Sequence, residues 1–279
     1  MPGGVAFDRV ADQYDATRGL PPGVVEEVAR RLARRIGAGR TIEVGVGTGR
    51  WARPLQQLGI EITGVDLSLP MLQVARQKGF VRAIRADAAR LPFADSEFDG
   101  AMSNHLLHLV YDVPGTLREL ARVAPGRLRS VLEHETARPD VVEAYLQAVR
   151  RNGFDQPAPG LGEKKLAESL RPDALSDAAR FQSRGPALAK LDAVARRAFR
   201  DTWGTPTALH DRTVRALRER FEGQDELTEV RVEIAEWSSD RLLQFADDYA
   251  RTHPVGGTHG GPADSRARRR HSSREVAPK

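Results

Sequence analysis

A chain of 279 residues with 40% hydrophobic and 29% charged side chains is long enough for one well-buried domain of about 200–250 residues with an elaboration, and no stretch of it approaches the roughly 18 apolar residues that a membrane-spanning helix requires. The absence of cysteine excludes disulfides, thiolate metal sites and cysteine-ligated iron–sulfur clusters, and no metal is expected. Of the net charge of +5, residues 252–279 hold six basic against two acidic side chains, which leaves the body near +1 and argues against a nucleic-acid partner. That segment reads as a solvated, disordered basic tail. Residues 1–12 lack a basic stretch followed by an apolar core, so a cytoplasmic location is expected.

The first strong signal is a helical period over residues 24–36, closed by Gly37 and Gly39. A short apolar strand at 41–46 runs into glycines, followed by a helix at 50–58, a strand at 61–65 and a helix at 70–78 that has Pro70 early and Gly79 just past its end. Strands at 81–86 and 98–103, a helix at 113–123 and a strand at 127–132 continue the alternation. Such alternation predicts a parallel, doubly wound α/β sheet. Beyond Glu133 the rhythm changes: helices are expected at 141–151, 187–200 and 207–221, a loop rich in Pro and Gly at 153–162, and strands at 174–181 and 227–237.

The chemistry centres on Glu43-Val44-Gly45-Val46-Gly47-Thr48-Gly49, between a strand and a helix. Glycines there permit a sharp turn and close approach of a ligand to backbone, and the helix start offers free N–H groups. The dinucleotide fingerprint needs a third glycine where Arg50 stands. Glu43 adds a carboxylate that would repel a pyrophosphate and attract a zwitterionic ligand with a cationic amino group and sulfonium. That pattern suits S-adenosylmethionine (SAM) better than NAD.

Over residues 7–133 the sequence resembles the class I SAM-dependent methyltransferases, in particular the small-molecule group related to ubiquinone and menaquinone biosynthesis methyltransferases. Glu43 to Gly49 is similar to that family's glycine loop, and Gly64-Val65-Asp66-Leu67-Ser68 to its second-strand acid. The resemblance implies that Glu43, Gly45, Gly47, Gly49 and Asp66 bind cofactor and that Leu67 and Met71 pack on its adenine. It implies the same for Asp87 and Ala88, within Ala86-Asp87-Ala88, and for Ser103 at the end of the fourth strand. Asp66 is also readable as the cap of the helix that follows, and Asp87 as a solvated loop acid.

Residues 7–18 look like the family's amino-terminal cover helix, with Tyr14 and Arg18 toward the cofactor. Tyr14 could cover a sulfonium or pack with Phe7 and Val10. Pro125-Gly126-Arg127 is similar to the family's fifth-strand turn but lacks one glycine, which leaves that strand's register open. Trp203 is readable as pocket lining or as core.

Methyl transfer from a sulfonium needs mainly alignment and exclusion of water. A hydroxyl or amine acceptor must also lose a proton, and His105, just after the fourth strand, is the candidate base, with His108 behind it. Without cysteine, and with Asn104-His105-Leu106 where base-methylating enzymes carry Asn/Asp-Pro-Pro-aromatic, nucleic-acid routes lose support. The expected fold is a Rossmann-like, doubly wound, mostly parallel seven-stranded sheet with a largely helical insertion after the fifth strand. Its expected parts are a SAM-binding core with its cover helix (1–133), a mainly helical substrate cap (134–225), the last strand and helix (226–251) and the basic tail (252–279). The expected activity is SAM-dependent methylation of a small molecule at O, N or C. A non-catalytic SAM-binding protein and a nicotinamide-dependent oxidoreductase are the alternatives, and the oligomeric state is open.

Overall fold

The structure is a computed structural model that describes residues 7–18 and 20–253, apart from the side chain of Arg18. The expected basic tail lies outside them from residue 254 onward. In chain order come a 3-10 turn at Asp8–Gln13, α1 (Tyr14–Arg18), α2 (Pro22–Ile36), β1 (Thr41–Val44), α3 (Ala52–Gln57), β2 (Ile62–Asp66), α4 (Leu69–Gln77), β3 (Ala83–Arg85), β4 (Gly100–Ser103), α5 (Val113–Val123) and β5 (Arg127–Arg138). They are followed by α6 (Val141–Arg151), α7 (Glu163–Ser169), β6 (Ala174–Pro186), α8 (Ala187–Ala195), α9 (Thr207–Phe221), β7 (Asp225–Ser238) and α10 (Ser239–Thr252).

The seven strands form one sheet in the order β3-β2-β1-β4-β5-β7-β6. The first five strands pair in parallel, and β7 runs antiparallel to both β5 and β6. Helices cover both faces, as the near-continuous burial of β1, β2 and β4 requires. On one face Leu117 and Leu120 of α5 and Leu242 and Ala246 of α10 pack around Trp237. On the other, Leu32 of α2, Leu55 of α3 and Leu72 of α4 cover Ile62, Val131 and Ile234. Burying each such leucine contributes roughly 1.5–3 kcal/mol before the entropy cost of ordering.

Several expected boundaries moved for identifiable reasons. Strand β5 runs to Arg138 rather than 132, because β7 pairs with it residue for residue from Arg127↔Ser238 to Arg138↔Leu227. Its register against β4 is Gly100↔Arg127. One glycine suffices in the turn: a Cβ at Gly126 would lie 1.9 Å from the Asp99 carbonyl oxygen. The helix expected at 187–200 stops at Ala195, since Arg197 takes a φ of +54° and turns its guanidinium onto the carbonyls of Thr202 and Thr205, at 2.5 and 2.9 Å. Helix α7 was not expected.

The stretch 134–225 holds helices α6 to α9 together with β6, an edge strand of the main sheet. Val141, Tyr145, Leu191, Val194, Leu217 and Phe221 give α6, α8 and α9 an apolar core of their own. Inside it the Tyr145 hydroxyl lies 2.6 Å from His210 Nδ1, and His210 Nε2 lies 3.2 Å from the Ala195 carbonyl. A carbonyl only accepts, so Nε2 carries the proton and Nδ1 accepts from the tyrosine. Burial holds His210 below the usual histidine range, in keeping with this neutral ring. Tyr145→Phe leaves Nδ1 buried and unpaired and is expected to cost about 1–2 kcal/mol, read as a lower urea midpoint at unchanged m-value.

Candidate active site

In this strand order the sheet reverses direction of growth between β1 and β4, and the carboxyl ends of β1, β2 and β4 open a crevice there, where doubly wound sheets bind ligands. The crevice is a cleft of about 720 Å³ counting its open mouth. Gly45, Gly47, Asp66, Leu67, Met71, Asp87, Ala88, Tyr14 and His105 line it, which brings together most of the residues singled out from sequence.

The glycine turn is demanding at two positions. Gly45 has φ +79°, and a Cβ on it would sit 2.9 Å from that of Leu106, in the cleft wall. Gly47 has φ +55° with open space where a Cβ would go, so the backbone stays bare toward a ligand. Its N–H donates to Asp66 Oδ2 at 2.8 Å, and the Ser68 N–H donates to Oδ1 at 2.8 Å. The capping role open to Asp66 falls instead to Ser68, whose hydroxyl accepts from the Met71 N–H at the start of α4. Asp66 therefore stands oriented at the strand end with its carboxylate on the cleft, and burial pushes its pKa up against the pull of the Ser68 and Gly47 amides.

Glu43 sits beneath the cleft rather than on it. It is 2% exposed and accepts from Asn104 Nδ2 at 2.8 Å. Oε2 has no partner of hydrogen-bond geometry among the described residues. Burial pushes its carboxyl up to about 8, against the opposing effects of Asn104, the Ala52 amide and Arg50. Asn104 also accepts from the Val131 N–H at 2.7 Å, so through Asn104 Glu43 braces the end of β4 against the middle of β5. Gly49, at φ +78°, closes the turn by donating to the Val46 carbonyl at 2.9 Å and does not reach the cleft lining. Ser103 is fully buried, with its hydroxyl on Glu163 Oε1 at 2.9 Å, and likewise stands behind the lining.

Residues 7–18, expected as a cover helix, form a 3-10 turn leading into α1. Phe7, Val10 and Ala11 pack on Met71 and Leu109. Asp15 fastens the cover to the glycine loop, accepting from the Thr48 hydroxyl at 2.7 Å and pairing with Lys78 at 2.8 Å. The ring of Tyr14 meets Phe7 edge-on at 6.1 Å, and Tyr14 lines the cleft. The side chain of Arg18 lies outside the described ones. Trp203 is absent from the cleft lining; it stacks obliquely on Phe7 at 4.9 Å, its indole N–H donates to the Arg197 carbonyl, and so it ties the insertion to the cover.

His105 has a φ of +54°, a left-handed conformation uncommon for a side-chain-bearing residue. Its Nε2 lies 3.3 Å from Glu133 Oε1, which also accepts from Arg50 Nη1 at 2.6 Å. Burial raises the Glu133 pKa, but His105, Arg50 and Lys164 outweigh it and hold the carboxyl below the usual range. Sequence reasoning missed Glu133. It also missed Glu163, whose Oε1 accepts from the Leu106 and Leu107 N–H groups at 2.8 and 3.1 Å and so shapes the turn that carries His105. Neither has a local signal, because every partner lies on another element.

The family described as a methyltransferase domain matches residues 42–126. An uncharacterized protein of Methanocaldococcus jannaschii is 30% identical over 59% of this chain and 78% of its own length. The demethylmenaquinone methyltransferase of Renibacterium salmoninarum is 35% identical over 59% of this chain and 74% of its own. The malonyl-[acyl-carrier protein] O-methyltransferase of Pseudescherichia vulneris is 36% identical over 43% of this chain, which spans only 49% of that enzyme. With three quarters of the Renibacterium enzyme matched, and a buried, amide-oriented carboxylate closing the turn at the sheet's switch point, the chain belongs to the class I SAM-dependent methyltransferases.

Proposed function

We propose that the protein methylates a small organic acceptor by in-line displacement, with His105 as the base that takes the acceptor's proton. The observation that carries this reading is the meeting of two spaces at His105, which together with Tyr14 lines both the cleft and a second, adjoining cavity. SAM, when bound, supplies a methyl group activated on a cationic sulfur. Asp66 would hold the ribose hydroxyls, Leu67, Met71, Ala88 and Leu106 would sandwich the adenine, and Asp87 would meet its polar edge. Gly45 and Gly47 leave room for the amino-acid end, and Tyr14 under the cover excludes water, which strengthens every electrostatic contact inside. The two named methyltransferases above differ in their acceptors, so the likeness to them does not name the acceptor.

Calorimetry with S-adenosylhomocysteine tests the cofactor half of the reading, and correctly folded protein with no affinity for it would end the proposal. For the base, His105→Asn is the informative variant because asparagine tolerates positive φ better than most residues. It is expected to lower kcat at least tenfold with the S-adenosylhomocysteine Kd within a factor of two. Unchanged turnover would remove His105 from the chemistry.

A further inference from the structure

Next to the cofactor cleft lies a cavity of about 1230 Å³ counting its open mouth, and the two share Tyr14 and His105. Strand β5, helix α6 and the segment around Phe199 wall it, and Val142, Leu146 and Phe199 supply apolar surface. The rest of the lining is ionic and unbalanced. Glu133, Glu135, Asp140, Glu143, Asp201 and Glu226 face it, against Arg50, Lys164 and Lys190. Arg50 is engaged by Glu133 at 2.6 Å. Lys190 lies between two carboxylates, 3.6 Å from Glu135 and 3.8 Å from Glu226. Glu143 and Asp201 are compensated from outside the lining, by Arg150 at 3.3 Å and Arg200 at 2.8 Å. The lining carries both signs with carboxylates in excess, and an excess of negative charge in a cleft draws cations toward it.

We infer that the acceptor is an amine that enters this cavity as the ammonium ion and gives up its proton to His105, with Glu133 as the residue that positions the imidazole. The cavity's junction with the cofactor cleft, rather than the carboxylates alone, locates the site, and the inference rests on the methyltransferase reading above. Glu133 accepting at Nε2 leaves the Nδ1 lone pair as the base, the logic of a carboxylate that selects a histidine tautomer. The ammonium transfers one proton to Nδ1, and the freed nitrogen lone pair forms the new bond to the methyl carbon. The carbon–sulfur bond breaks with its electron pair remaining on sulfur. Positive charge thus passes from sulfur to the N-methylammonium product, and the imidazolium returns its proton to water in the cavity.

The test uses three probes of one shape and different charge, 2-phenylethylamine, 2-phenylethanol and 3-phenylpropionate, titrated by NMR into the full chain saturated with S-adenosylhomocysteine. The amine is expected to bind at least tenfold tighter than the carboxylate and several-fold tighter than the alcohol. Glu135→Gln, at a side chain that is half exposed and safe for folding, is expected to reduce the amine's advantage about threefold. Equal binding of the three, or preference for the alcohol or carboxylate, overturns the inference. Failure of S-adenosylhomocysteine to bind instead overturns the methyltransferase reading beneath it. The positioning role is read separately from nitrogen shifts of histidine-labelled protein, with the His105 signal assigned through His105→Asn. Protonation of the neutral ring at Nε2, relaxed toward a tautomer mixture by Glu133→Gln, is expected; protonation at Nδ1 in the unsubstituted protein would refute it.

Discussion

Asp66→Ala is expected to weaken binding of S-adenosylhomocysteine about 100-fold by titration calorimetry. The carboxylate is oriented by two backbone donors, Gly47 and Ser68, and its remaining lone pairs are available to ribose hydroxyls. Hydrogen bonds to a charged group contribute about 1.5–3 kcal/mol each. Losing two, offset by relief of a desolvated charge, leaves a deficit near 2.7 kcal/mol, which is a factor of about 100 in Kd. Asp66→Asn keeps one acceptor and the shape of the site and should lose only about tenfold. A change below threefold for the alanine variant would mean that Asp66 merely braces the glycine turn.

Glu43 governs the second large effect, on stability rather than affinity. In the folded protein burial raises its carboxyl from 4.5 to about 8. Between those values the unfolded chain has released the proton and the folded chain has kept it, so stability falls as pH rises through this window. The contribution is fully present below about pH 4.5 and has been lost above about pH 8. At about 1.4 kcal/mol per tenfold change the loss is roughly 5 kcal/mol. Glu43→Gln keeps the acceptor for Asn104 and never ionises. It should therefore be more stable than the parent by roughly 4–5 kcal/mol at pH 9, or at least about 10 °C in Tm, and equal or slightly less stable at pH 5. Parallel Tm curves for the two proteins from pH 5 to pH 9 would show that Glu43 is not the titrating group. Burial thus holds Glu43 mostly uncharged at neutral pH, beneath the cleft and braced by Asn104.

Much of the first half was legible because its signals are local. Helix α5 at Val113–Val123 follows from apolar spacing and an Asp112 cap that accepts from the Gly115 N–H, and its observed bounds are those expected. The same holds for α6 and α9 at Val141–Arg151 and Thr207–Phe221. Legibility failed where a distant partner sets the structure. The far half of β5 is a strand only because β7 lies against it, and α7 is anchored through Glu163, whose bonds reach back 56 to 60 residues. Gly49 and Ser103 were recognised as part of the glycine loop and strand end, but one closes the turn and the other points into the core. A motif specifies backbone shape more tightly than it specifies which side chain faces the ligand.

By itself the sequence determined the alternation of strands and helices, the left-handed glycines of the turn and the acid that follows β2, since each depends on backbone freedom or periodicity within a few residues. Only the tertiary structure decided that Glu133, 28 residues from His105 and 83 from Arg50 in the chain, joins them at one point, and that β5, α6 and the insertion enclose an acidic space beside the cofactor cleft. Contacts between separate elements depend on how layers pack, and a linear pattern of apolar and charged residues carries no record of which charges the packing brings face to face.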